Sequence, residues 1–204
     1  MIETLISFAL ASAILAISPG PDNIFVLIQS IVNGKKFGLA TVFGLMTGCL
    51  IHTSLVAFGV SAIINENENL FFFIKLFGAL YLLYLAYKVF KSDEEILISV
   101  DNVPKKTMSQ LFRTGFLMNV LNPKVTIFFL AFFPRFLFSK TISTIFQFYV
   151  LGIIFILISF VVFSTIAILA GNISIYLKQH KNIGFYLKWG QIVVFISIAI
   201  YIFK

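Results

Sequence analysis

Two residues of opposite charge stand where charge is expensive. Asp22 is the only acidic residue between Glu3 and Glu66, and Lys124 is equidistant in sequence from Arg113 and Arg135. If those arginines mark the two edges of an apolar slab, Lys124 sits at its middle, where a charge costs about 2.5–3.5 kcal/mol on insertion scales. Such a group needs a partner or an aqueous cavity, and Asp22 is the natural partner. Together they suit a zwitterion: the carboxylate takes an ammonium or a proton, and the lysine takes a carboxylate. The bland alternatives are a structural ion pair and, for Asp22, a helix cap.

Both residues adjoin helix breakers. Asp22 lies in Ser18-Pro19-Gly20-Pro21-Asp22-Asn23, and Lys124 follows Asn122-Pro123. Proline lacks an N–H and ends a helix, yet it is favoured at the first position of the next one; Asn and Gly suit the cap before it. Each run therefore reads as the start of a new half-helix. Free N–H groups at such ends bind carboxylates. The candidate binding residues are Pro19, Gly20, Pro21, Asp22, Asn122, Pro123 and Lys124, with Asn119 one turn before Pro123. A simple kink is the competing reading of the prolines. His52, midway along an uncharged stretch, joins Asp22 as a candidate for proton coupling, against an equal prospect of being a packing hydrogen-bonder.

Other chemistries find no support. There is no GxSxG, HExxH or Walker A run, so the reading is not an enzyme. The two histidines, His52 and His180, and the single Cys49 are too few for a metal or redox centre, and no cofactor is implied. The net charge of +7 does not announce nucleic acid, because basic residues are scattered between apolar runs.

The elements that must hold these residues follow from composition. Of 204 residues, 60% are hydrophobic and only 11% charged, far below the roughly 25% charged of a soluble domain. Apolar segments fall at about 4–32, 38–63, 70–90, 111–138, 144–171 and 184–203, each near the ~20 residues a transmembrane helix needs or longer. The expectation is an all-α polytopic membrane protein of six transmembrane helices, a single domain over 1–204 with no signal peptide. The first and fourth segments are the broken ones, which gives two halves, about 1–90 and 111–204, joined by a cytoplasmic linker at about 91–110 that contains Asp93-Glu94-Glu95. Three spans per half makes the halves inverted repeats, and paired broken helices in such repeats point to a transporter's substrate site.

Loop charges set the orientation. Lys35, Lys36, Lys88, Lys91, Lys105, Lys106, Arg113, Lys178, Lys181 and Lys188 flank one side; only Arg135, Lys140 and Lys204 flank the other, where Glu66 and Glu68 also fall. Basic residues mark the cytoplasmic face, so both termini are expected outside it. Ala40, Gly44 and Gly48 form a small-residue face for close helix packing within the bundle, with a homo-oligomer contact as the lesser use. Tyr81, Tyr84, Tyr87 and Trp189 read as packing or interfacial anchors; Gln147 and Gln191 have no assignment.

These residues resemble the LysE/RhtB family of bacterial amino-acid exporters. The likeness rests on Ser18-Pro19-Gly20-Pro21-Asp22-Asn23, on Gly44, Gly48 and His52, on Gly78 with Tyr81-Leu82, and on Gly115-Phe116, Asn119, Asn122-Pro123-Lys124 and Phe132-Phe133-Pro134. It covers most of the chain in order, with segments five and six matching mainly in hydropathy. The resemblance implies a six-helix protein of the bacterial cytoplasmic membrane that exports amino acids or related metabolites in exchange for protons. Its partners would be the amino acid, protons and the lipid bilayer. Two other classes compete: a membrane scaffold or regulatory subunit, in which Asp22 and Lys124 only hold the halves together, and a passive channel.

Overall fold

The computed structural model describes residues 1–66, 68–92, 106–179 and 183–203. Asp93-Glu94-Glu95, Lys105, His180, Lys181 and Lys204 lie outside the described residues. Among those described, the chain is helical throughout, with no strand. That follows from the composition: without water to satisfy the backbone, long apolar runs must bond their own N–H and C=O groups.

The helices are α1 (Ile2–Ile17), α2 (Pro21–Asn33), α3 (Lys35–Leu55), α4 (Ser61–Glu66), α5 (Glu68–Lys91), α6 (Met108–Val120), α7 (Pro123–Ile127), α8 (Thr144–Ile168), α9 (Ala170–Gln179) and α10 (Ile183–Tyr201). A π-turn at Val56–Val60 carries α3 into α4, and a π-turn at Phe128–Phe132 followed by a 3₁₀ turn at Phe133–Phe136 extends α7. Four spans are single helices long and apolar enough to cross a membrane: Lys35–Ile63, Asn69–Lys91, Thr144–Ile168 and Ile183–Tyr201. Two more are bent pairs, α1 with α2 at 59° and α6 with the helical stretch Pro123–Phe136 at 48°. The breaks thus fall where the prolines place them.

One expected boundary is displaced. Segment five, placed at about 144–171, ends as α8 at Ile168, and the chain turns at Leu169 into the separate ten-residue α9. Nothing in the hydropathy marks that turn, because Leu169 and its neighbours are as apolar as the helix before them.

Local chemistry fixes the ends. Gly34 joins α2 to α3 at φ 95°, in the left-handed region that favours glycine. Thr107 and Gln110 form a reciprocal capping box at the start of α6. Gln147 accepts from the N–H groups of Phe138 and Ser139 and donates to the carbonyls of Ser139 and Ile142, so it pins the loop between α7 and α8.

Helix α3 lies closest to α6, and the small-residue face makes this approach. A methyl at Gly44 would strike the backbone of Phe112, and one at Gly115 would strike that of Thr41. One turn on, Gly48 leaves the space that the Asn119 side chain fills. Ala40, half-buried, continues the row. Helix α1 packs on α8, α3 on α8, and α5 on α10. The core between them is aromatic: Phe8, Phe128, Phe129, Phe132, Phe133 and Phe136 are all buried. Trp189 packs edge-on to Phe90 at 6.0 Å, at the end of α5. Tyr84 and Tyr87 are exposed on the outside of the bundle, and Tyr81 is half-buried.

Candidate functional site

Each break leaves carbonyl groups that the interrupted helix can no longer bond. In the first, Asn23 turns back and donates its Nδ2 to Ala16 O at 2.8 Å. In the second, Pro123 stands four residues after Asn119 and has no N–H to give it. The Asn119 carbonyl is taken instead by the N–H of Asn122 at 3.0 Å and by His52 Nε2, also at 3.0 Å. A carbonyl only accepts, so His52 Nε2 carries the proton. His52 is buried on α3 and serves here as the donor that closes the break in the neighbouring helix.

The two half-helix starts are not equivalent. At α7, Asn122 Oδ1 accepts from the N–H of Lys124 at 3.0 Å, so the helix caps itself. At α2, the cap is Gly20 and no side chain caps the first turn. The Asn122 cap expected from the sequence is thus present, and of the two half-helix starts only that of α2 lacks a side-chain cap.

Asn122 also reaches across the bundle. Its Nδ2 donates to Asp22 Oδ2 at 2.9 Å and ties the second break to the first over 100 residues of sequence. The carboxylate is buried, with 8% of the residue exposed. The direct Asp22–Lys124 bond expected from the sequence is thus replaced by Asp22–Asn122, with Lys124 in Coulombic reach of the carboxylate. The Lys124 ammonium lies on the Gly20 side: a methyl at position 20 would stand 3.7 Å from its Nζ and 3.7 Å from Asn23 Oδ1. On its other flank the ammonium sits 5.2 Å from the ring centre of Phe195, from α10, in cation–π geometry.

These groups converge on one cavity of about 40 Å³. Gly20, Pro21, Asp22 and Asn23 line it from the first break, and Asn119, Asn122 and Lys124 from the second. Pro19 and Pro123 shape the breaks without lining the cavity. Two further walls were not foreseen: Met46 and Cys49 of α3, and Phe155, Ser159 and Phe163 of α8. The signal for the last three was faint but present, a Phe-Ser-Phe row at four-residue spacing in an apolar helix. For Phe195, one phenylalanine among 26, there was none.

The chain was compared with known proteins. The family model of the LysE type translocator matches residues 13–203. The chain belongs to the LysE type translocator family. A translocator moves a solute and does not transform it, so the protein is not an enzyme; it is a multi-pass membrane protein. Among its relatives is the homoserine/homoserine lactone efflux protein of Salmonella typhimurium, 29% identical over 176 residues that cover 86% of this chain and 84% of that one. Another is the uncharacterized membrane protein YrhP of Bacillus subtilis, 30% identical over 145 residues, 66% of this chain and 68% of the relative. An uncharacterized membrane protein of Vibrio cholerae is 27% identical over 87% of this chain and 86% of its own length. No solved structure matches.

Proposed function

We propose that the protein is a secondary exporter of small amino acids or related zwitterions across the bacterial cytoplasmic membrane, exchanging them for protons by alternating access. The observation that carries this reading is the meeting of both helix breaks at one cavity that holds a buried carboxylate, a lysine and an open helix N-terminus. The substrate carboxylate binds between Lys124 and the N–H groups at the start of α2, where Gly20 leaves room for it. The substrate ammonium binds Asp22. Between cycles Asp22 carries the proton, and its hydrogen bond from Asn122 holds it in place. The efflux relatives handle homoserine and its lactone, and a small, neutral amino acid fits the same chemistry here.

The architecture supporting this is two inverted halves, α1 to α5 and α6 to α10, in a single domain. The packing speaks for it. The broken element of the first half (α1) packs on the second span of the other (α8), and the broken element of the second (α6) packs on the second span of the first (α3). The two third spans, α5 and α10, pack on each other. With most basic residues on one face, both termini lie outside the cytoplasm.

A cavity of about 40 Å³ admits a few waters, since one needs roughly 10–15 Å³ of such space. An amino acid is larger, so binding requires the walls to part.

Gradient-driven flux in inside-out vesicles tests the reading. Labelled small amino acids should accumulate when an imposed pH gradient is present and equilibrate when it is not. Asp22→Asn keeps the hydrogen-bonding shape but cannot carry the charge, and its uphill flux should fall to the level of empty vesicles. A variant that still pumps at the full rate removes Asp22 from the mechanism. Flux that no gradient drives uphill points to a channel.

A further inference from the structure

The exporter reading assigns the groups that meet a zwitterion's two charges, but two more polar residues line the cavity. Ser159 Oγ and Asn119 Oδ1 are buried and have no hydrogen-bond partner; the residues are 1% and 4% exposed. Both line the cavity. The Cys49 thiol, a weak donor, interacts with the Asn119 side chain.

Among the described residues three serine hydroxyls are buried without a partner, those of Ser18, Ser159 and Ser164, and only Ser159 lines the cavity. Helical hydroxyls here turn back to the carbonyl four residues earlier: Ser12 to Phe8, Ser30 to Val26, Thr53 to Cys49, Thr126 to Asn122 and Thr165 to Val161. That bond is always within reach of a serine in a helix and is the default where no water competes. Ser159 forgoes it, on a residue that lines the cavity together with Phe155 and Phe163, one turn to either side. An unmet polar atom in so dry a wall is costly unless something else meets it.

We infer that Ser159 and Asn119 form a subsite for the substrate's side chain, and that it selects a short neutral side chain carrying a hydroxyl. This rests on the exporter reading above. A hydroxyl satisfies both atoms at once: it donates to Asn119 Oδ1, which only accepts, and accepts from Ser159. The two phenyl rings pack against the methylene beside it. A charged side chain finds no counter-charge on this wall, because Asp22 and Lys124 are engaged by the substrate's own ends. Ser159 is thus a specificity-determining residue, contributed by the half opposite the one that holds Asp22.

The test uses matched pairs that differ by one hydroxyl: homoserine against 2-aminobutyrate, and serine against alanine. A site that bonds a substrate hydroxyl rejects the analogue lacking it, so the intact protein should favour the hydroxylated member by at least roughly tenfold in competition for efflux. Ser159→Ala, which removes one oxygen and leaves a good helix former, should cut that preference at least about fivefold. Ser164→Ala is the control. Its hydroxyl is also buried and unpartnered, on the same helix, but it does not line the cavity, and its loss should leave the preference unchanged.

Thermal unfolding of the purified, full-length protein reads binding independently of flux. Homoserine should raise Tm more than 2-aminobutyrate in the intact protein, and equally with it in Ser159→Ala. If Ser159→Ala keeps the full preference, or loses both members of each pair alike, a trapped water and not the substrate satisfies Ser159, and the inference fails while the exporter reading stands. If the intact protein transports amino acids without regard to the hydroxyl, the inference fails in the same way. If it moves no amino acid at all, the exporter reading fails and takes the inference with it.

Discussion

At the scale of single residues, the position that separates a binding site from a mere kink is Gly20. Its φ of −166° is extended backbone that any residue adopts, so glycine is not there to relieve strain. A methyl at this position meets Lys124 Nζ and Asn23 Oδ1 at 3.7 Å, ordinary contact distance. Gly20→Ala should therefore fold normally, with a stability change within about 0.5 kcal/mol. Yet the methyl fills the space beside Lys124 where a substrate carboxylate would lie. Efflux should drop at least roughly tenfold, about 1.4 kcal/mol, mostly through a weaker apparent affinity. Transport kinetics alongside a thermal melt separate the two quantities. An unaltered substrate affinity in a normally folded Gly20→Ala protein would place the carboxylate elsewhere.

At the scale of elements, a side chain takes the carbonyl that each break frees, Asn23 from the same broken pair in the first and His52 from a neighbouring helix in the second. The His52 Nε2–H replaces the N–H that Pro123 cannot supply to Asn119 O. Removing it in His52→Ala leaves the carbonyl with the Asn122 N–H alone, at a cost of about 0.5–1.5 kcal/mol, and should lower both Tm and efflux. His52→Gln restores an N–H donor of similar reach and should recover most of each. The pH profile then decides between the two roles the sequence allowed. If His52 positions the break, the glutamine protein keeps the proton dependence of the intact one. If it relays protons, that dependence is lost with the ring. The breaks were legible because proline, glycine and asparagine carry their chemistry locally, in the backbone. The third and fourth walls of the cavity were not. Helix α8 is apolar on nearly every side, so only the faint Phe155, Ser159 and Phe163 row marks the face it turns inward. Ser159 and Phe155 become site residues only through packing between distant segments. The capping asymmetry between α2 and α7 was hidden for a related reason: Asn122 bonds its own helix and Asp22 at the same time, and no spacing rule tells which half-helix stays open.

At the scale of the whole molecule, the proposed alternating access requires a cavity of about 40 Å³ to open by turns to each side, and the protein carries its own reporter for such an opening. Cys49 is its single cysteine, 1% exposed, and part of the cavity wall. A maleimide does not fit a space of this size, so alkylation of Cys49 requires the walls to part. Labelling should be slow in de-energised vesicles and rise several-fold when a pH gradient and a transported amino acid drive the cycle. Asp22→Asn should abolish that rise without changing the slow background rate, because it stops the cycle and leaves the wall intact. Tight contact between α3 and α6, where Gly44 meets the backbone of Phe112, constrains how the walls part. The two helices leave no slack for sliding, so in the proposed cycle the opening comes from movement of α1, α2 and α8 around that pair. Gly44→Ala pries the pair apart at a cost of about 1–3 kcal/mol and should raise the background labelling of Cys49 even in resting vesicles. Quantifying maleimide incorporation by mass spectrometry, with and without the gradient, checks both. A Cys49 that labels at one constant rate under all conditions would mean that this cavity never opens, and that the transported molecule takes another path.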